Sequence, residues 1–366
     1  MESLVTMSID IFNHFYRGKR VLVTGHTGFK GSWLSIWLHE LGAEVIGIGL
    51  DPFTGRDNYV LSGIGKKIKA DIRADIRDGQ RMKEIFSKYQ PEIVFHLAAQ
   101  PLVRLSYEKP METYETNVMG TINIMEAIRC TESVKVAVMI TTDKCYENKE
   151  QIWGYRENEP MGGYDPYSSS KGSAEIAISS WRRSFFNPSD YGKKHHVSIA
   201  SVRAGNVIGG GDWALDRIIP DCIKALEAGK DIDIRSPKAI RPWQHVLEPL
   251  SGYMLLAQKM WNEPVKYCEG WNFGPLPESI STVWEVASKV VENYGSGKLN
   301  DVSDPNALHE AKLLMLDISK AKFRLGWEPR MSISQCVELT VDWYKRYKTE
   351  DVYEVCLQQI NRYVNK

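Results

Sequence analysis

The stretch Thr24-Gly25-His26-Thr27-Gly28-Phe29-Lys30-Gly31 decides the fold, because it joins a short β-branched run to a helical pattern. Gly25 permits a tight turn, and Gly28 lets the backbone approach a pyrophosphate at the positive end of a helix. Gly31 allows that helix to pack closely on the sheet. Asp51 follows about 20 residues later, where a carboxylate can bind ribose hydroxyls. Loop flexibility explains one glycine, but three at this spacing together with Asp51 predict a dinucleotide site.

The same carboxylate favours NAD over NADP, because Asp51 would repel a 2′-phosphate. Lys30 and Arg56 weaken that preference slightly. Further candidate cofactor contacts lie in the glycine turn or follow later strands: Thr27, Phe29, Asp75, Ile76, Ala98, Ala99, Gln100, Asn117 and Thr141. Asp75 could equally be a helix-capping or loop carboxylate, and Asn117 a satisfied polar group of the core.

Short β-rich runs alternate with helical patterns through the first half of the chain. The predicted strands are Arg20–Val23, Ala43–Leu50, Lys66–Ala70, Ile93–Ala98, Val134–Thr141 and Val197–Val202. The predicted helices are Gly31–Leu41, Gly79–Lys88, Thr113–Arg129 and Ser169–Phe185. This alternation is typical of parallel βαβ units, so we predict an α/β fold with a doubly wound parallel sheet, a Rossmann fold.

The pattern loosens after about residue 203, which predicts two domains. Residues 1–203 form the NAD-binding domain, with a loose tail over the first 18 or so, and residues 204–366 form a smaller α+β domain. Helices are expected over Leu215–Ala228, Leu250–Trp261 and Val283–Tyr294. A strand within Tyr267–Phe273 could return to the first domain.

Charge and composition exclude several classes of function. Lys plus Arg total 46 and Asp plus Glu total 46 in 366 residues, which argues against nucleic acid or an anionic membrane as partner. The six cysteines are scattered, and His195-His196 point in different directions, so no metal site is predicted. The N-terminus lacks the apolar run of a secretory signal, and we expect a cytoplasmic protein.

Tyr167 and Lys171 are four residues apart and therefore lie on one helix face. A tyrosine hydroxyl is normally a poor base, with a pKa of about 10. A nearby ammonium group and a positive nicotinamide ring favour the phenolate, which suits proton removal from an alcohol as hydride leaves. Thr141, Thr142, Asp143 and Lys144 end a predicted strand at the sheet edge where such folds bind ligands.

Together these motifs resemble the nucleotide-sugar-modifying branch of the extended short-chain dehydrogenase/reductase family, over essentially the whole chain. The motifs that carry the resemblance are Thr24–Gly31, Asp75–Asp78, His96–Gln100, Asn117–Thr121, Tyr167–Lys171, Arg203–Val207, Trp271–Gly274 and Leu325–Pro329. Three further stretches are similar to its 4,6-dehydratases: Thr142–Asn148, Gly162–Ser168 and Arg241–Val246.

The resemblance implies dehydration of CDP-D-glucose with tightly held NAD. Hydride leaves C4 for NAD while Tyr167 removes the O4 proton, aided by Thr142 as hydrogen-bond partner and by Lys171 on the nicotinamide ribose. The ketone acidifies C5–H, so water can be lost across C5 and C6. Hydride then returns to C6, giving the 4-keto-6-deoxy sugar.

One position departs from the dTDP-glucose dehydratases of this family, in which an Asp-Glu pair follows the threonine. Here Asp143 would be the acid that protonates the leaving hydroxyl, and Lys144 stands where the C5 base stands. A lysine can be a base only when its pKa falls towards neutrality. A role for Lys144 in orienting the sugar or the enolate is an equal alternative.

The substrate diphosphate requires specific arginines, since the overall charge is zero. Arg235 and Arg241 are the candidates, with Asn206 at the domain junction, although either arginine could be a solvated surface cation. Arg104 and Ser106 could contact the hexose or serve only the loop. The resemblance further implies a homodimer or homotetramer, formed through a four-helix bundle.

Two other functions stay open. A 4-epimerase, or a dehydratase acting on a dTDP or GDP sugar, would share Tyr167 and Lys171, but an epimerase has no need of Asp143 and Lys144. A non-catalytic NAD-sensing protein could use the same fold.

Overall fold

A seven-stranded parallel sheet forms the centre of the computed structural model, which describes residues 9–303 and 313–366. The strands are β1 (Arg20–Thr24), β2 (Glu44–Gly49), β3 (Ala70–Arg73), β4 (Ile93–His96), β5 (Val136–Ile140), β6 (Ser198–Ala204), β7 (Val207–Ile208), β8 (Ile232–Ile234), β9 (Ile240–Arg241), β10 (Gln244–His245), β11 (Gly270–Phe273), β12 (Ser281–Thr282) and β13 (Leu299–Asp301). The central sheet has the order β3-β2-β1-β4-β5-β6-β11, and each neighbouring pair is parallel. The predicted doubly wound α/β fold is confirmed.

Helices cover both faces of this sheet. They are α1 (Phe29–Glu40), α2 (Asn58–Ser62), α3 (Gly79–Tyr89), α4 (Val103–Glu108), α5 (Pro110–Tyr114), α6 (Gly120–Arg129), α7 (Pro166–Ser184), α8 (Ile218–Glu227), α9 (Leu247–Asn262), α10 (Val283–Tyr294), α11 (Ile333–Arg346) and α12 (Val352–Val364). Among the described residues, no helix combines the length and the apolar character needed to cross a lipid bilayer.

Side chains of successive strand residues point to opposite faces of the sheet, so the apolar side chains are divided between two cores. Val21 and Val23 of β1 join the core formed with α1, α9, α11 and α12. Leu22, between them, joins the core formed with α3, α6 and α7. Because successive strand residues point to opposite faces, a strand buried on both faces must be apolar throughout. This explains why the central strands read as continuous hydrophobic runs.

The strand order reverses between β1 and β4, which lie side by side although β2 and β3 separate them along the chain. The Thr24 hydroxyl group joins the two strand ends, because its oxygen accepts the N–H groups of Leu97 and Ala98, each at 3.1 Å. It also lies 2.8 Å from Nδ1 of His96. In open α/β sheets, ligands bind in the crevice at such a reversal.

Some predicted elements differ from the observed ones. The third strand occupies Ala70–Arg73 rather than Lys66–Ala70. The helix predicted over 113–129 is instead α5, a π-helical turn over Glu115–Met119, and α6. Residues 1–8 of the predicted tail lie outside the described residues. The rest of that segment is packed, since Phe12 and Tyr16 are buried, so the tail does not extend through residue 18.

The chain after β6 builds smaller elements and also returns to the central sheet. β7 pairs with β10 and β8 with β13 in parallel, whereas β9 pairs with β12 in antiparallel orientation. β11 pairs with β6 in parallel register, Gly270 lying opposite Ser201. The division into domains at residue 203 stays a prediction.

Candidate active site

The glycine turn between β1 and α1 forms one wall of the crevice. Gly25 has a φ of +73°, and a Cβ atom there would lie 2.8 Å from the Ala98 nitrogen. A Cβ atom on Gly31 would collide with the Gly25 carbonyl group. Gly28 precedes the first residue of α1, Phe29, in an extended conformation. The turn therefore brings bare backbone and the positive end of α1 to the switch point, where a pyrophosphate can bind.

Asp51 lies two residues beyond β2 and its side chain is 89% exposed. Its carboxylate is 3.1 Å from Nε of Arg73, at the end of β3. Arg73 is itself held by Asp71, which also accepts hydrogen bonds from the Tyr59 hydroxyl group at 2.6 Å and from the buried His26 ring at 2.7 Å. Burial opposes these contacts, but together they lower the pKa of Asp71. The Asp51 carboxylate is thus exposed enough to bind a ligand, and its ion pair with Arg73 orients it.

Asp75 and Ile76, predicted to contact the cofactor, lie beyond the end of β3. The Asp75 carboxylate accepts hydrogen bonds from Arg77, with Nη2 at 2.6 Å. Burial would raise the pKa of Asp75, but these hydrogen bonds lower it. Ile76 is buried against Gly120, the first residue of α6. The loop is therefore ordered by its own contacts.

Ala98, Ala99 and Gln100 run from the end of β4 past the glycine turn. The Gln100 N–H donates to Oδ1 of Asn117 at 2.9 Å, and Nδ2 of Asn117 donates to Oγ of Ser170 at 2.9 Å. Asn117 sits in the π-helical turn, which is a common position for functional groups. Its side chain therefore couples the β4 loop to α7.

Helix α7 positions the predicted tyrosine and lysine. It begins at Pro166 after Asp165, whose carboxylate accepts the Ser168 N–H at 2.9 Å. Tyr167 lies in the first turn and Lys171 one turn further, and both side chains are buried. The backbone N–H of Tyr167 donates to Oγ of the fully buried Ser106 at 3.1 Å. Ser106 thus holds the start of α7.

The pKa values of both groups are perturbed. Burial raises the pKa of Tyr167 to about 12, and interaction with the Thr142 side chain offsets part of that rise. Burial lowers the pKa of Lys171 to about 8, and the neighbouring charge of Lys30 adds to the effect. Burial and Arg217 likewise lower the pKa of Lys30 to about 8. The crevice therefore collects cationic side chains in a poorly solvated environment.

Thr142, Asp143 and Lys144 form the turn that follows β5. Thr142 Oγ1 donates to Oδ1 of Asp143 at 3.0 Å and accepts the Lys144 N–H at 3.4 Å. Asp143 is 1% exposed, and its Oδ2 atom has no hydrogen-bond partner among the described residues. A buried unpaired carboxylate oxygen is costly unless a ligand or a proton meets it. Lys144 is half-buried.

A buried ion pair lies behind this turn. Glu175, one helical turn beyond Lys171, accepts hydrogen bonds from Thr141 at 2.5 Å and from Ser201 at 2.7 Å. The guanidinium group of Arg203 donates to the same carboxylate at 2.9 and 3.0 Å and to the Tyr146 hydroxyl group at 2.6 Å. The pair ties β5, β6 and α7 together beneath the candidate catalytic groups.

Two arginines predicted to contact substrate converge on one carboxylate. Arg104 of α4 lies 3.0 Å from Asp216, and Arg235, just after β8, lies 2.9 Å from the same side chain. Arg217, which sequence reasoning missed, follows Asp216 directly. It pairs with Asp212 at 2.7 Å and is close enough to Tyr167 to lower its pKa. The predicted helix Leu215–Ala228 included Arg217, whereas the observed α8 begins just after it, so the local sequence did not mark this residue.

Arg241 is buried, whereas Asn206 is half-buried. Arg241 Nη1 donates to its neighbour, the carbonyl of Ile240, at 2.9 Å. Oδ1 of Asn206 is buried with no partner within the described part of the chain. Gly205, the residue before Asn206, lies against Asp143, because a Cβ atom on Gly205 would lie 3.2 Å from Oδ2 of Asp143. The chain segment that contains Asn206 therefore packs on the turn formed by Thr142, Asp143 and Lys144.

Comparison with known proteins identifies similar sequences along the whole chain. The family model described as GDP-mannose 4,6 dehydratase matches residues 22–340. A curated CDP-glucose 4,6-dehydratase of Salmonella typhimurium (strain LT2) is 51% identical over 97% of this chain and 99% of its own length.

Solved structures share the fold. A UDP-glucose 4-epimerase from Thermotoga maritima, determined with UDP-glucose, superposes with a TM-score of 0.76 at 25% identity, covering 90% of this chain and 100% of its own. A dTDP-glucose 4,6-dehydratase from Bacillus anthracis, determined with NAD, gives a TM-score of 0.74 at 22% identity, covering 93% and 100%.

Proposed function

Because the chain belongs to the GDP-mannose 4,6-dehydratase family, within the extended short-chain dehydrogenases/reductases, we propose that it converts CDP-D-glucose to CDP-4-dehydro-6-deoxy-D-glucose. It is a lyase that uses NAD without net oxidation or reduction. The observation that carries this function is the convergence of Thr142, Asp143, Tyr167 and Lys171 beside the glycine turn. The 51% identity to a CDP-glucose 4,6-dehydratase over nearly the full length supports the substrate.

The glycines of the turn between β1 and α1 leave room for NAD in the crevice. Cβ atoms at Gly25 and Gly31 would fill or distort the turn that must approach a pyrophosphate. Asp51 would bind the adenosine ribose, and Asp75, Ile76, Ala98, Ala99 and Gln100 would border the cofactor. The chemistry that NAD supplies when bound is reversible hydride transfer, from C4 and back to C6, beside a positively charged ring.

Tyr167 takes the proton from the C4 hydroxyl group. In the protein alone its pKa is about 12, so the phenolate is scarce near neutral pH. Positive charge in the crevice favours the phenolate. With substrate bound, the Thr142 hydroxyl group would turn from Asp143 and donate its hydrogen bond to the C4 oxygen of the sugar. Lys171 contributes as a cation, and its pKa of about 8 leaves it largely protonated at neutral pH.

Asp143 and Lys144 serve the elimination step. With its Oδ2 atom unpartnered and buried, Asp143 is suited to hold a proton and deliver it to the departing C6 hydroxyl group. Lys144 removes the C5 proton. The alternative, that Lys144 only orients the sugar or the enolate, makes a different prediction for exchange of that proton.

Arginine side chains from several elements bind the diphosphate. Arg217 is the new candidate beside the predicted Arg104, Arg235 and Arg241, because its charge reaches both Lys30 and Tyr167. Guanidinium groups bind phosphate oxygens with two parallel hydrogen bonds. When the ligand binds, Arg104 and Arg235 would give up part of their contact with Asp216 and contact the phosphate oxygens instead.

Exposed apolar side chains on α5, in the π-helical turn and at the end of α7 support an assembly of identical chains. Met111, Met119 and Phe185 are 47–73% exposed. Such residues on neighbouring helices suit a helical interface between two copies. We therefore propose that the chain forms a homodimer or homotetramer. We also propose that this assembly acts in the cytoplasm.

Product analysis with a panel of nucleotide-glucoses tests the function. We expect CDP-glucose to give a product that absorbs in alkali, as a 4-keto-6-deoxy sugar does and an epimerised hexose does not. Deuterium placed on C4 should reappear on the new methyl group. Formation of a 4-epimer, or retention of the label at C4 without methyl formation, would refute dehydration.

The C5 base is tested separately. In Lys144→Ala, exchange of the C5 proton with solvent deuterium should be lost while NAD binding is kept. Lys149→Ala, at an exposed lysine beyond the turn, is the matched control. Exchange at the wild-type rate in Lys144→Ala would assign the base to another group.

A further inference from the structure

A second cavity, separate from the crevice, lies along the far part of α7. It has a volume of about 550 Å³ and is bounded by α7, the loop at 157–161, the start of β11 and the segment around Lys320 and Arg324. This volume is in the range of small-molecule sites. Arg182 projects into it from a position eleven residues after Lys171, which is about 16 Å along a helix. The cavity therefore does not share its ligand position with the candidate catalytic groups.

Arg182 is the unusual residue in this cavity. Its Nη1 atom is shielded from solvent and has no hydrogen-bond partner in the described parts of the chain. Burial lowers the pKa of its guanidinium group, and the charges of Glu175 and Glu269 offset only part of that effect. Arg182 is half-buried, and a guanidinium nitrogen that is shielded from solvent without an acceptor is costly; an anion within hydrogen-bond reach of Nη1 would remove that cost.

The cavity is also basic in a chain whose formal charge is zero. Five basic side chains line it, against three glutamates. One of these, Glu175, is already neutralised by Arg203 at 2.9 Å. Another, Glu269, is shared between Lys320 at 2.6 Å and Arg324 at 2.7 Å, which leaves one positive charge in excess there. Concave basic surfaces concentrate small anions.

We propose that this cavity is a binding site for a phosphoryl group, with Arg182 as its principal contact and Arg324 as a second. The guanidinium fork matches phosphate oxygens, and the excess positive charge matches a dianion. The group could be free inorganic phosphate or the phosphate of a small ester.

The site has a direct connection to the catalytic turn. Arg203 and Glu175 form part of the cavity wall. On the side of the catalytic groups, Arg203 contacts the Tyr146 hydroxyl group at 2.6 Å and Glu175 contacts the Thr141 hydroxyl group at 2.5 Å. An anion in the cavity therefore adds negative charge next to the ion pair that supports residues 141–146.

Calorimetric titration of the holoenzyme tests the proposal. NAD and CDP are kept saturating, so that the phosphate positions of cofactor and substrate are occupied, and ionic strength is held constant with chloride. Inorganic phosphate and glucose 1-phosphate are titrated in separate arms. We expect saturable binding in at least one arm, and the pattern of the two arms tells whether the free ion or the ester is bound.

The variants assign the binding to the cavity. Arg182→Gln should weaken it 10- to 100-fold, as expected for a lost charge-assisted hydrogen bond. Arg324→Gln, at a half-exposed residue, should weaken it several-fold and covers the case in which Arg182→Gln does not fold. Arg81→Gln, on α3, should bind as the wild type does. No saturable binding in the wild type, or equal affinity in Arg324→Gln and Arg81→Gln, would overturn the proposal.

Discussion

Glu175→Gln is the substitution that most directly tests the ion pair beneath the catalytic turn. Glutamine keeps the shape of the side chain but removes its charge. Arg203, which is 4% exposed, then has no direct carboxylate partner among the described residues. The hydrogen bonds from Thr141 and Ser201 also weaken, because an amide offers a single acceptor oxygen.

The expected loss follows from the burial of both partners. Removing one member of a buried ion pair costs about 3–5 kcal/mol, because the remaining charge stays buried without compensation. A comparable pair at the surface contributes about 0.2–1 kcal/mol. Glu84, half-exposed and 3.2 Å from Arg81, provides that comparison. We therefore expect Glu175→Gln to lose several times more stability than Glu84→Gln.

Urea unfolding with NAD saturating measures the difference, taken as a shift of the midpoint at unchanged slope. The double variant Glu175→Met/Arg203→Met should be more stable than Glu175→Gln, since it removes both charges. A loss below about 1 kcal/mol in Glu175→Gln would refute the reasoning. So would a double variant that is less stable than the single one.

Three further outcomes are expected. Tyr167→Phe should lower kcat by about 10²–10⁴ with NAD affinity and unfolding midpoint unchanged, whereas Tyr89→Phe on α3 keeps full activity; a loss below tenfold would remove Tyr167 as the base. Gly31→Ala should weaken NAD binding more than tenfold, because its Cβ atom meets the Gly25 carbonyl group; Gly55→Ala, in open space, is the control, and equal affinity in both would contradict the close approach. The third concerns pH. The pKa of Lys171 is lowered from 10.5 to about 8, so the unfolded chain binds more protons between these values and the stability of the wild type rises with pH across that window. Unfolding free energies from pH 7 to 11 should show this rise to be smaller in Lys171→Met; equal slopes would contradict the burial of its charge.

Local patterns were sufficient for the sheet and for the position of the turn at Thr142–Lys144, whose catalytic role stays a prediction. The central strands are apolar on both faces, and the glycine spacing, Tyr167 and Lys171 are contiguous signals. The third strand was predicted four residues too early at its start, because Asp71 and Arg73 interrupt its apolar pattern. Both residues belong to the polar cluster around His26 and Tyr59. Such a cluster depends on contacts between distant residues.

The substrate side was harder to predict for the same reason. Arg104 and Arg235 are far apart along the chain, and nothing in either local sequence indicates that both contact Asp216. Arg217 has no motif of its own, and its proximity to Tyr167 arises only when the loop after β7 folds back. The π-helical turn at Asn117 was equally hidden, because its composition is that of an ordinary helix.

The return of β11 to the sheet has a consequence for synthesis on the ribosome. Until Gly270–Phe273 has emerged, β6 presents an unpaired edge of hydrophobic strand, which is a template for association with other chains. A fragment that stops at residue 203 would carry that edge permanently and should aggregate. We therefore expect the nascent chain to complete its nucleotide-binding half only when most of the protein has been translated.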